Sequence, residues 1–345
     1  MTAGCRAGTC GPVLGDRGWE WLDPAGQRAG RKAGPFDGRM VGVRSRTGLL
    51  SAPTLNGGLD PGFSGVPFAG GVQILVRERK EVKAMREEHM PQFGLVGPTD
   101  VPQWIHMRRG QHVAGYTIGI LHLDDVWYPL IPGNVVNALT YDFPVRMKAV
   151  PNLDTPRLHS GDPALAADII CAAKELEKDG VRAISAACGF FGYFHKAVAE
   201  AMDIPVCLSS LVQVPWILTT LKRGRRIGVL TANAAAITPE LLDCCHVTDA
   251  GVLAVCDLRN EPHFSAIMED RGSFDNTEVR KEVVNAAREL LSNNPDIGAI
   301  LLECSDLPPY AAEVQQAAGL PVFDFITMIK WLHNATAHRP YYGFI

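Results

Sequence analysis

From Tyr116 onward, short runs of Val, Ile and Leu alternate with stretches in which apolar residues recur every three or four positions. The short runs predict strands and the spaced stretches predict amphipathic helices. Their alternation predicts βα units around parallel sheets. One helix begins with Asp162 as its cap and Pro163 in its first turn, carries Leu165, Ile169, Ala172 and Leu176 on one face, and ends at Gly180. A second begins near Asn276–Thr277, has an apolar stripe of Val279, Val283, Ala286 and Leu290, and stops at Asn293-Asn294-Pro295. Helical spacing also covers Phe191–Met202. Pro308-Pro309 opens another helix, which Gly319 closes.

The pattern occurs twice. Ile118-Gly119-Ile120-Leu121 matches Ile227-Gly228-Val229-Leu230. Gly180–Ile184 running into Cys188 matches Ile297–Ile300 running into Cys304, and Ile204-Pro205-Val206 matches Leu320-Pro321-Val322. Cys188 to Pro205 and Cys304 to Pro321 are both 17 residues. Each cysteine therefore ends a predicted parallel strand just before a helix, on the sheet edge where open α/β folds bind ligands. One buried thiol at a strand end is explained by packing alone. Matched thiols in two copies point further, because a core has no need of the same residue in both.

The N-terminal part differs. The first seventy residues are dense in Gly, Pro and Arg and show no periodicity, so an extension that cannot offset its ordering entropy is expected there. An organelle transit segment is the runner-up for this Arg-rich stretch. Val72–Val76 predicts a short strand and Arg77–Glu88 an exposed helix.

Hydrophobic residues make up 47% and charged residues 20% of the 345, with a net charge of −4. That balance leaves no basic footprint for nucleic acid. No apolar run is long enough to span a bilayer, and no secretory leader is evident, so a cytoplasmic setting is expected. Nine cysteines without a repeating spacing suggest free thiols in a reducing compartment. Cys171, Cys207 and Cys256 are expected in the core. Cys244-Cys245-His246 resembles a metal cluster, but adjacent side chains do not converge on one tetrahedral ion, so no metal is expected.

A thiol at a helix N-terminus is expected to favour its thiolate. Two thiols facing one carbon form an acid/base couple, one removing a proton α to a carboxylate and the other returning one to the opposite face. Backbone N–H groups beside them suit the carboxylate, and no cofactor is required.

Ala186-Ala187-Cys188-Gly189-Phe190-Phe191, Ser209-Ser210-Leu211, Leu230-Thr231-Ala232-Asn233, Leu302–Tyr310 and Leu320–Asp324 resemble, in order, the aspartate/glutamate/hydantoin racemase superfamily. Tyr128-Pro129-Leu130-Ile131-Pro132-Gly133 is similar to an element of its Alma-type dimethylsulfoniopropionate lyases. The resemblance spans about residues 115–335. It implies two Rossmann-like α/β domains related by pseudo-twofold symmetry with the site in the cleft between them, and a cofactor-free enzyme acting as a homodimer or homotetramer on a small carboxylate. The implied boundaries are an unstructured extension over 1–100, a first domain over 112–222, a second over 223–324, and a helix at 325–337 returning to the first. Cys188 and Cys304 fall on the two catalytic cysteines. An amino-acid racemase or epimerase of the Asp/Glu type leads, with the lyase, which forms acrylate and dimethyl sulfide by β-elimination, as the alternative. Amino-acid racemases carry Asn-Thr after the first cysteine. Gly189-Phe190 here removes those side-chain donors, and the nearby aromatic rings either pack the helix after Cys188 or suit an onium group. Substrate contacts are expected from Asp124, Tyr128, Gly189, Phe190, Ser210, Thr231, Asn233 and Ser305.

Overall fold

A computed structural model describes residues 109–345 and the strands β1 (Pro12–Gly15) and β2 (Gly18–Trp21). These two strands pair as an antiparallel hairpin in the unit Met1–Ala69; everything below lies in the unit Gly70–Ile345. Four-residue strands are too short to leave a periodic signal in the sequence. The strand predicted at Val72–Val76 and the helix predicted at Arg77–Glu88 lie outside the described residues.

The repeat becomes two parallel four-stranded sheets. The first contains β3 (Ile118–His122), β4 (Val145–Ala149), β5 (Ala183–Ala186) and β6 (Val206–Cys207) in the order β4-β3-β5-β6. The second contains β7 (Arg226–Thr231), β8 (Leu253–Asp257), β9 (Ile297–Leu302) and β10 (Val322–Phe323) in the order β8-β7-β9-β10. Every pairing in both sheets is parallel. The two orders are the same, and each reverses direction between its first and third strands. The crevice at that reversal, beyond the carboxyl ends of the strands, is where such sheets bind ligands.

The helices follow their apolar stripes. Asp162 accepts from the Ala164 N–H and caps a 3-10 turn that leads into the helix Ala166–Lys178, which buries Ile169, Ala172, Ala173 and Leu176. Asp275 caps Asn276–Asn293, whose Val279, Val283, Ala286 and Leu290 are buried. Each helix lies tight on the first strand of its sheet over a glycine. A Cβ at Gly119 would stand 3.0 Å from Leu176, and one at Gly228 would stand 3.1 Å from Leu290. The repeated glycine therefore sets helix–sheet spacing in both copies. Cys171 points away from this stripe and is exposed, and Cys207 and Cys256 are only half-buried, against the expectation that all three are core.

One hydrophobic cluster runs through both sheets, joining Ile184 and Val206 to Ile227, Val229 and Leu301. The helix Phe325–Thr336, held by an Asp324–Thr327 capping box, packs Phe325, Met328, Ile329 and Leu332 against Ile118, Ile120 and Ala183 of the first sheet. The chain thus returns to its first sheet after completing the second. Among the described residues, no helix is long and apolar enough to cross a membrane.

Candidate active site

Cys188 stands two residues past the end of β5 and Cys304 two residues past the end of β9. Matching strand ends bring both thiols to one cavity of about 40 Å³. Its other lining residues include Tyr128, His159, Gly189, Phe190, Glu303, Ser305 and Asp306. The volume has room for water rather than for an organic acid. Beside it the two halves are stitched together: Trp127 N–H donates to Asp270 Oδ1 at 3.0 Å, and Gly272 N–H donates to Trp127 O at 2.7 Å.

The loop after β3 crosses to the second half. Gly133 has φ +99°, and a Cβ there would stand 2.7 Å from Pro309 Cα, so the Tyr128–Gly133 element packs directly on the Pro308-Pro309 turn. This seats Tyr128 Oη 3.4 Å and Asn134 Nδ2 2.5 Å from the two oxygens of Asp306. Cys304 Sγ donates to Asp306 Oδ2 at 3.5 Å. Ser305 and Asp306 look like helix caps in the sequence. The 3-10 turn Pro308–Tyr310 instead begins after Leu307 with no side-chain cap, and Asp306 turns to the thiol. Burial raises the Asp306 carboxyl to about 6, against the pull of donors from Cys304, Tyr128, Asn134 and Ser305.

At the other thiol, Cys188 Sγ lies 3.8 Å from His159 Nε2. His159 ends the short helix Thr155–His159, which Asp154 caps and Pro156 opens. Its ring packs on Phe190 with centroids 4.2 Å apart, and Asn233 Nδ2 meets its Nδ1 at 3.2 Å. Burial, with Arg259 nearby, lowers His159 to about 4, so the ring is neutral at physiological pH.

Glu303, fully buried, is a charged neighbour of both cysteines. Thr231 Oγ1 donates to its Oε2 at 2.8 Å, and Ser210 Oγ donates to its backbone oxygen at 3.3 Å. Its Oε1 has no hydrogen-bond partner. Burial lifts this carboxyl to about 7.

The thiols do not have the expected thiolate character. Each sulfur does face a backbone N–H two residues on, from Phe190 for Cys188 and from Asp306 for Cys304. Burial outweighs those dipoles, and the neighbouring carboxyls Glu303 and Asp306 push in the same direction, so both thiols are raised well above their ordinary range. Cys188 enters a 3-10 turn (Gly189–Phe194) before its α-helix, and Cys304 sits well short of its own, so neither has a full helix dipole behind it.

Of the residues expected at the site, Tyr128, Gly189, Phe190, Ser305 and both cysteines line the cavity. Ser210 and Thr231 hold Glu303, and Asn233 holds His159, so all three lie one layer behind it. Asp124 is not brought to the site: it is exposed, and its Oδ2 accepts from the Asn152 N–H at 3.1 Å. The position beside the first cysteine belongs to His159, which the sequence reading missed, along with Glu303, Asp306 and Asn134. The available signals were the Asp154-Thr155-Pro156 helix start and a carboxylate on either side of Cys304. Among the described residues, no group of three or more His, Cys, Asp or Glu side chains is arranged to hold a metal ion.

The Asp/Glu/hydantoin racemase family model matches residues 147–332. Curated relatives include a dimethylsulfoniopropionate lyase of Durusdinium sp. clade D, 29% identical over 70% of this chain and 83% of that protein. Dimethylsulfoniopropionate lyase 7 of Emiliania huxleyi (strain CCMP1516) is 30% identical over 66% of this chain and 69% of its own length. Similar solved structures include a sulfate-associated variant of arylmalonate decarboxylase, with TM-score 0.46 and 20% identity over 64% of this chain and 93% of that one. Allantoin racemase from Pseudomonas fluorescens has TM-score 0.45 and 14% identity over 64% of this chain and 89% of its own. With its duplicated parallel sheets and a match across more than half its length, the chain belongs to the Asp/Glu/hydantoin racemase family.

Proposed function

We propose that this protein is a cofactor-independent enzyme in which Cys188 and Cys304 act on a carbon α to a carboxylate, and that its substrate is a zwitterion carrying an onium group, as in dimethylsulfoniopropionate. The charge of the cavity carries this reading. Among the described residues, its lining has the carboxyl groups of Asp270, Glu303 and Asp306 and no Lys or Arg. A dicarboxylate amino acid meets uncompensated repulsion there, whereas a sulfonium is drawn to Glu303 Oε1 and to the faces of Tyr128 and Phe190. The substrate carboxylate falls to the backbone N–H groups that follow each cysteine. One thiolate removes the α-proton, the C–H electron pair becomes the new C=C bond, and the C–S pair leaves with dimethyl sulfide, giving acrylate. The curated relatives act on the same compound by name. A molecule this size exceeds the cavity of about 40 Å³, so its binding requires the cavity to widen.

Racemisation or epimerisation is the second reading. It is favoured by the matched cysteines on opposite halves, which suit proton removal and return at two faces of one carbon. Incubation in D2O with dimethylsulfoniopropionate and, separately, with a panel of amino and hydroxy acids, followed by proton NMR and headspace detection of dimethyl sulfide, separates the two. Acrylate and dimethyl sulfide are the expected products. Deuterium entering the α-position of an amino or hydroxy acid, with no sulfide released, establishes the second reading instead.

A further inference from the structure

A line of polar side chains leads from the second half to Cys188. Arg259 Nη1 lies 3.4 Å from Asn233 Oδ1, Asn233 Nδ2 lies 3.2 Å from His159 Nδ1, and His159 Nε2 lies 3.8 Å from Cys188 Sγ. A guanidinium has donors and no acceptor, so the Asn233 atom facing it is the carbonyl oxygen. That turns the amide NH2 toward His159. NH2 only donates, so Nδ1 must accept, and a neutral imidazole that accepts at Nδ1 carries its proton on Nε2. His159 therefore presents an N–H to Cys188. At Cys304 the polarity is reversed. Its neighbour at 3.5 Å is the Asp306 carboxyl, whose ionised form only accepts, so the Cys304 S–H donates. In each case the polar partner comes from the cysteine's own half and is anchored by residues of the other half, Asn233 and Arg259 for His159, Tyr128 and Asn134 for Asp306.

We infer that the Arg259–Asn233–His159 chain makes Cys188 the proton acceptor and Asp306 makes Cys304 the proton donor, so that the cysteine pair is poised in one direction. The inference rests on the two-cysteine acid/base reading but not on the identity of the substrate. Cys188, having released its proton to solvent, takes the α-proton as a thiolate and becomes a thiol. The C–H pair stays with the substrate, either to form the C=C bond as a leaving group departs or to accept the Cys304 proton on the opposite face, which leaves Cys304 as thiolate. A racemase needs both protonation arrangements to be accessible, whereas an elimination runs from one, so the polarised pair suits the latter. His159, Asn233 and Arg259 are positioning residues, acting through Cys188.

Alkylation of the full chain by iodoacetamide, with mass spectrometry reading Cys188 and Cys304 separately across pH, tests this without substrate. The charged or titratable groups facing Cys188 are His159, Glu303, Asp306, Tyr128 and Cys304; those facing Cys304 are Asp306, Glu303, Tyr128 and Cys188. The midpoint of the pH profile is the readout, because access alone changes a rate and not a midpoint. Cys188 is expected to have the lower midpoint. His159→Phe is expected to raise it by about one pH unit or more, a tenfold loss of thiolate, with Cys304 unmoved. His159→Gln, which restores an N–H donor, should recover most of the shift. The unmoved Cys304 profile and an unchanged melting temperature report that the variants are folded. A lower midpoint for Cys304, variants that leave the Cys188 midpoint in place, or equal shifts of both thiols would overturn the inference. Absence of sulfide release would count only against the substrate proposed above.

Discussion

Glu303 Oε1 occupies the space that a side chain at Gly189 would fill. Gly189 follows the first cysteine and Glu303 precedes the second, so the contact joins the two segments that carry the thiols. It also accounts for a glycine at a position where amino-acid racemases place a side-chain donor.

Gly189→Ala should therefore displace the Glu303 carboxyl and destabilise the fold by about 1–3 kcal/mol, as overpacking does. Glu303→Ala removes the obstacle, so the double variant should be more stable than the sum of the single effects. Denaturant melts of the four proteins in a double-mutant cycle check this; additive effects would mean the contact is not made.

Glu303 also makes a pH signature. Burial raises its folded-state pKa from an ordinary 4.5 to about 7, so the folded protein binds the proton more tightly than the unfolded chain. The stability linked to that proton is complete below about pH 4.5 and is lost as pH rises through about 7. Glu303→Gln holds the neutral form at every pH. Its melting temperature relative to wild type should climb between pH 5 and 8 and then level off, as followed by calorimetry.

Tyr128→Phe removes one of the donors that hold the Asp306 carboxyl down at about 6. The Asp306 pKa should rise further, because burial is then opposed by fewer donors. Carboxyl-region NMR of labelled protein, comparing the Asp306 titration in the two forms, measures the direction. A downward move contradicts the hydrogen bond across the halves.

Loss of either thiol should separate the chemistry from the scaffold. Cys188→Ala is expected to lower kcat/KM for α-proton removal by about 10²–10⁴, the usual worth of a general base, with little change in melting temperature. Cys188→Ala removes a single sulfur atom and so leaves only a small void. Stopped-time exchange or product assays give the rate, and an unimpaired variant would exclude the thiol from the reaction.

Much of this molecule could be read from periodicity. The stripes at Leu165–Leu176 and Val279–Leu290 specify helices because burial of one face at 3–4 spacing is a local pattern, and the equal Cys188–Pro205 and Cys304–Pro321 intervals specify equivalent strand ends. Cys171 shows the limit: a thiol inside a helix takes the face its position assigns, and there that face is outward.

The sequence by itself determined the βα repeat, the parallel sheets and the placing of both thiols at one sheet edge, since these follow from local pattern and from the rule that strand ends share a crevice. Only the tertiary structure decided what surrounds each thiol. His159, Asn233 and Arg259 are far apart along the chain, and so are Tyr128, Asn134 and Asp306; they meet because loops cross between halves around a shared core. Burial there outweighs the helix-terminus field, raising both thiols and Glu303, and desolvation is a property of the packed molecule that no stretch of sequence carries.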